Sequence, residues 1–163
     1  MLTQAQLATL KTAIMAETDP TFVQYRTNGQ TPLMSDWFNS PAVPAFLVRR
    51  TYVESSEVGP VLNYVAVSNL TTANRDRATT FLALNQAGFK PTADVESYWD
   101  TTFGGTLGGE GANTRTALQN LWRRQATRGE RLFATGTGTQ LSPGTLVFEG
   151  DITDTDIGRA LAL

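Results

Sequence analysis

The chain has neither histidine nor cysteine among its 163 residues. The first absence removes every catalytic arrangement that uses imidazole as its base, and the second removes disulfide frameworks and thiolate nucleophiles. Together they exclude the usual zinc sites. Lysine is scarce, with two residues against eleven arginines, so nearly all positive charge sits on planar guanidinium groups that favour bidentate pairing with carboxylate or phosphate. No run of about 18 apolar residues is present to span a bilayer. The opening MLTQAQLATLKTAIMAE lacks the basic start and unbroken apolar stretch of a secretory signal, so no membrane partner is expected.

The chain does have hydrophobic material and threonine. Forty per cent of the residues are hydrophobic, enough to bury a core, and 25 are threonine, a residue suited to caps, turns and short strands. The formal charge of -2 argues against a protein that coats nucleic acid, because sequence-independent binding needs a basic surface. Any DNA contact must be local.

Thr3 followed by Gln6 forms a capping box, and Leu2 with Leu7 a hydrophobic staple, so a helix is expected from Gln4 to about Glu17 with Leu7, Leu10 and Ile14 buried. Asp19-Pro20 should stop it. Over residues 21–44 the pattern weakens to turns at Asn28-Gly29 and Thr31-Pro32, with Ser35 capping a single turn. A strand is expected over residues 45–53. A short helix follows around residues 57–64, and a longer one over 72–87 ends at Gly88. Another, capped by Thr92, carries Val95, Tyr98, Trp99 and Phe103. Trp37, Trp99 and Trp122 read as core anchors rather than a binding cage, while Trp37-Phe38 and Phe46 also suit an interface.

The stretch GGTLGGEG, residues 104–111, reads as a flexible or tightly turned loop. It lacks the lysine of a phosphate loop and follows a helix, so no nucleotide or other cofactor is expected. Residues 113–133 read as one long amphipathic helix. Leu118, Leu121, Trp122, Leu132 and Phe133 fall on its apolar face, and Arg124, Arg128 and Arg131 cluster on another. With Arg115 and Arg123 added and Glu130 subtracted, this segment carries a net charge of +4 between two acidic regions. The arginines fit a solvated face, a surface for a neighbouring subunit's carboxylates, or a contact with nucleic-acid phosphate. Gly129 in the apolar face allows another element close approach.

A second flexible stretch, ATGTGTQ, leads to a turn at Ser142-Pro143-Gly144 and an expected strand over residues 145–149. Ile152, Thr153, Asp156 and Ile157 then repeat the staple and capping box of the N-terminus. The acids Glu149, Asp151, Asp154 and Asp156 are the densest carboxylate group, but their spacing matches no calcium loop and capping accounts for Asp156. No catalytic and no metal-ligating residue is assigned. The expected fold is mainly α, a helical single domain with a small β element. Residues 1–135 form the body and residues 136–163 an arm.

Four segments, LTQAQLATLKTAI, DWFNSPAVPAFLVRRTYV, NTRTALQNLWRRQATRGERLFATGTGT and SPGTLVFEGDITDTDI, resemble small proteins encoded among the head and neck genes of tailed bacteriophages and prophages. The resemblance spans nearly the whole chain and is most specific at ERLFATGTGT and SPGTLVFEG. It implies a virion structural protein and not an enzyme, assembled in the host cytoplasm as a head-to-tail connector subunit. Such a subunit forms a ring below the portal, touches portal and other neck or tail proteins, and lets DNA pass with at most non-specific contact. Alternatives are a head decoration, a tail terminator or another tail component and, from a different class, a lysis or DNA-packaging enzyme that uses carboxylates. On the ring reading, Arg123, Arg124, Arg128 and Arg131 meet a subunit or DNA. Leu146, Phe148, Ile152, Ile157, Leu161 and Leu163 form an arm that docks on a partner.

Overall fold

The computed structural model describes residues 1–104 and 108–163. Its elements in chain order are α1 (Gln4–Ala16), α2 (Pro20–Thr27), α3 (Thr31–Asn39), β1 (Leu47–Arg49), α4 (Ser55–Val58), a 3-10 turn over Gly59–Val61, α5 (Tyr64–Ser68), α6 (Thr72–Leu84), α7 (Ala93–Thr102), α8 (Gly108–Leu121), β2 (Arg123–Gln125), α9 (Arg128–Phe133) and α10 (Asp154–Leu161). The fold is mainly helical, and β1 and β2 form a small two-stranded sheet, as expected. Among the described residues no helix is long and apolar enough to cross a membrane. By internal contacts the chain divides into two compact units. One comprises Met1–Val48 and Gln125–Leu163, the other Arg49–Arg124. The expected break at residue 135 coincides with neither boundary.

The first unit joins two segments distant in sequence. Helix α1 begins at the Thr3 and Gln6 capping box and buries Leu7, Leu10 and Ile14, as its spacing predicts. Proline at residue 20 does more than end α1. It is the first residue of α2, where its missing N–H is no loss, and the Asp19 carboxylate accepts the N–H groups of Thr21 and Phe22. Pro32 likewise sits in the first turn of α3, a full helix in place of the single turn expected. Ser35 is inside that helix and donates its hydroxyl to Pro32 O at 2.7 Å. From α2, Arg26 donates to the carbonyls of Ile14 and Met15 at 2.6 and 3.0 Å, satisfying acceptors that the end of α1 leaves open.

Helix α10 starts at the expected Thr153 and Asp156 box, and Ile152 and Ile157 are buried with Phe22, Met34 and Phe38. Asn39 clamps this start. Its amide nitrogen donates to Ile152 O at 2.9 Å, and its oxygen accepts the Ile152 N–H at 2.8 Å. A second small core joins Ala42, Phe46, Val48 and Ala126. The expected strand over residues 45–53 is three residues long, and residues 145–149 form no strand. Only isolated bridges pair Gly144 with Val48 and Thr145 with Thr135. Nor is ATGTGTQ free: Gly138 has φ +64° and lies against the Phe46 ring, and its carbonyl accepts the Leu47 N–H at 2.7 Å.

The second unit, Arg49–Arg124, is organised around aromatic rings. Trp99 and Trp122 are fully buried, Trp99 stacks on Phe103 at 5.9 Å, and Phe81 packs edge-on to Phe89 and Trp99. Both indole N–H groups lack an acceptor among the described residues, at a cost of roughly 1–3 kcal/mol each. Burial of two large indole rings offsets that cost. The short helix expected around residues 57–64 is split into α4, the 3-10 turn that holds Pro60, and α5, which Asn63 caps. Helix α6 ends at Asn85 rather than at Gly88, because the Asn85 side chain donates to Phe81 O at 2.8 Å and closes the last turn. Helix α7 starts at Thr92 as expected. Residues 108–111 of the glycine-rich stretch are the first turn of α8, not a loop. Gly105, Thr106 and Leu107 lie outside the described residues.

The largest departure is at residues 113–133, expected as one helix. Helix α8 stops at Leu121, β2 follows, and a new helix α9 begins at Thr127. The reason is local. Thr127 accepts the Glu130 N–H and Glu130 accepts the Thr127 N–H, a capping box that offers the chain a fresh start, while a continuous helix would hold Thr127 and Gly129 inside it. Gly129 does allow close approach. A Cβ there would lie 2.7 Å from the Ile152 side chain.

Replacing Gly138 by alanine combines a left-handed backbone with a clash against Phe46. It should lower stability by about 2–4 kcal/mol, read as a fall in the denaturant midpoint with an unchanged slope.

Candidate functional site

Breaking the expected helix also disperses its arginine stripe. Arg115 is on α8, Arg123 and Arg124 are on β2, and Arg128 and Arg131 are on α9. Each of the four residues expected to contact a subunit or DNA therefore has its own surroundings.

Arg123 is committed inside the second unit. Its side chain is 4% exposed and chelates Glu96 of α7, with Nη2 at 3.0 Å from Oε2 and Nη1 pairing with Oε1. Arg49 approaches the same carboxylate through Nε at 2.8 Å and Nη2 at 3.3 Å. Burial works against the charged form of Glu96, but hydrogen bonds from Arg123 and Arg49 outweigh it and hold the carboxyl below the usual range. This is a structural clamp, since its groups are turned to one another. Arg124 is half-buried and has partners of its own.

Arg128 and Arg131 differ. The Arg128 guanidinium lies over the Trp37 ring at 4.0 Å, and its Nε donates to Ser40 Oγ at 3.1 Å. Arg131 Nη1 donates to Pro44 O at 3.0 Å. Among the described residues neither has a carboxylate partner. With Glu17, Trp37, Phe38, Val43 and Leu132 they line an open groove of about 380 Å³, all within the first unit. Glu17 is the one acid there, and its Oε1 accepts the N–H groups of Thr18 and Asp19 at 2.9 and 3.0 Å. The groove thus combines two oriented guanidinium groups with an aromatic and aliphatic wall. That chemistry suits a segment carrying both a carboxylate and an apolar side chain.

The residues expected to form a docking arm are mostly turned inward. Ile152 and Ile157 are fully buried in the unit's own core, and Leu161 packs against it. Leu146 covers the small core around Phe46 and Val48, and Phe148 meets Phe133 edge-on at 5.6 Å. Leu163 alone of the six is exposed, at 48%. The reason is packing: α10 has one apolar stripe, and it is needed to complete the core of α1 and α3.

Asp156 takes its expected capping role. Burial disfavours the charged form of Asp156, yet bonds from the Thr153 hydroxyl and N–H and from the Leu2 N–H keep its carboxyl below the ordinary range. Among the described residues no three acidic groups gather as a metal site. Sequence reasoning missed Trp37 and Glu96 as arginine partners. Thr127-Arg128-Gly129-Glu130 is the readable sign that α9 is a separate helix.

Replacing Glu96 by glutamine leaves two arginines facing an uncharged amide, and should cost about 3 kcal/mol at neutral pH. Because the folded-state pKa of Glu96 is lowered, its contribution is complete above the carboxylate range and is lost as pH falls through it. The gap between wild type and the Glu96→Gln variant should therefore narrow below about pH 4, measured by urea unfolding across pH.

Comparison of the chain with models of known protein families, with curated proteins and with solved structures finds no match.

Proposed function

We propose that this chain is a structural subunit of a tailed-phage virion, a head-to-tail connector that assembles with further copies of itself into a ring beneath the portal. The resemblance of its four sequence segments to phage head and neck proteins supports the phage setting. The observation that carries the assembly reading is the groove on the first unit, where Arg128 and Arg131 are held by Trp37, Ser40 and Pro44 and meet no carboxylate among the described residues. Immobilised charge beside exposed apolar surface is the character of an interface more than of a solvated face. Val43, 68% exposed, adds to that surface. Arg123 has no place in the contact, since Glu96 engages it within the second unit.

The reading is tested on particles of the phage that encodes the chain. Mass spectrometry of purified virions should find the protein at a fixed ratio to the portal, and an image should place it in a ring at the neck. Its absence from infectious particles would overturn the proposal. A lysis or packaging enzyme would instead remain in the lysate.

A further inference from the structure

We infer that the groove of Arg128 and Arg131 seats the surface strap at residues 147–151 of a second copy of this chain, with Asp151 on the arginines and Val147 on the apolar wall.

The strap is anchored at two points. Phe148 packs on Phe133 and Ile152 is buried, so the residues just before them, Val147 and Asp151, are turned outward. Gly150 N–H donates to Glu130 Oε1 at 3.4 Å and fixes the backbone between them. Val147 is 68% exposed, and Asp151 is exposed with no hydrogen bond or ion pair among the described residues. A carboxylate and an aliphatic side chain four residues apart, on a backbone already held in place, match a groove that presents two guanidinium groups and the side chains of Val43 and Leu132. Little ordering is left for binding.

Charge favours this occupant over nucleic acid. Glu17 lines the groove and the chain carries a net charge of -2, both of which repel phosphate, whereas one aspartate between two arginines leaves the pocket balanced with Glu17. Groove and strap are different patches, so each copy offers one of each. The contact is heterologous and closes into a ring where the rotation permits. This assignment rests on the assembly reading above and names the segment that performs it.

The test uses the full chain at low salt, with mass measured by sedimentation and native mass spectrometry. Wild type should form oligomers. Asp151→Arg and Arg131→Glu should each weaken association at least tenfold while melting within a few degrees of wild type. Mixed together, they should regain oligomers that contain the two variants in equal number, since every contact then joins either the native groove and strap or the exchanged pair, a glutamate-bearing groove and an arginine-bearing strap. The double variant Arg131→Glu with Asp151→Arg should recover the full oligomer. Oligomers that persist in both single variants would overturn the assignment and leave the virion role standing. A wild type that stays monomeric at the highest attainable concentration would overturn it too, whatever is found in particles. Loss of duplex-DNA binding in Arg131→Glu with unchanged self-association would give the groove to DNA instead.

Discussion

The first unit is built from chain segments that the whole of Arg49–Arg124 separates, and its integrity depends on how they are joined. Ile152 is the joint. Its side chain is buried among residues of α1 and α3, its backbone is held from both sides by the Asn39 amide, and Gly129 leaves the space it occupies. Closing a chain over so long a separation carries an entropic cost of about 4 kcal/mol. Full burial of isoleucine, about 1.5–3 kcal/mol, and two hydrogen bonds of about 1 kcal/mol each are of the same size. The groove depends on that closure, since Trp37, Phe38 and Val43 come from one segment and Arg128, Arg131 and Leu132 from the other.

The two kinds of arginine environment follow from the same shortage of alternatives. With no histidine and two lysines, the chain places guanidinium groups wherever a cation is needed. Around Glu96 they satisfy a carboxylate that burial would otherwise neutralise. Arg50 does similar work at Glu57, where its hydrogen bond holds the glutamate carboxyl low and raises the guanidinium's own pKa. On α9 they lie on an aromatic ring and against the Ser40 hydroxyl and the Pro44 carbonyl, which orient a charge without neutralising it. Lysine would not serve there, because a flexible ammonium neither stacks nor forks.

Helix starts are the most legible part of the sequence, because a capping box is a contact within four residues. Thr3, Thr92 and Thr153 each cap the helix expected of them. Pro20 and Pro32 read as stops and turns in the sequence, yet they begin α2 and α3, since proline is equally at home just past one helix and in the first turn of the next. The apolar spacing of Leu118 to Phe133 conceals the Thr127 box: Trp122 and Leu132 face different cores, yet a periodicity count places them together. Glu96 with Arg49 and Arg123 is invisible for a simpler reason, as no local rule pairs side chains 47 and 27 residues apart. Of the groove, the arginines and Trp37 are each legible as interface candidates, and the stacking of Arg128 on that ring is not.

The division of the chain also bears on the order in which the protein can fold as it is made. Arg49–Arg124 is contiguous, so all of its partners are available once Arg124 has left the ribosome, and its aromatic core can form then. Helices α1 to α3 emerge earlier but lack Ile152, Ile157 and Ala160, which follow that unit in the chain. The segment made earlier is therefore completed later. Until then its apolar faces stay open, and the unit that carries the groove is not finished before α10 has been translated.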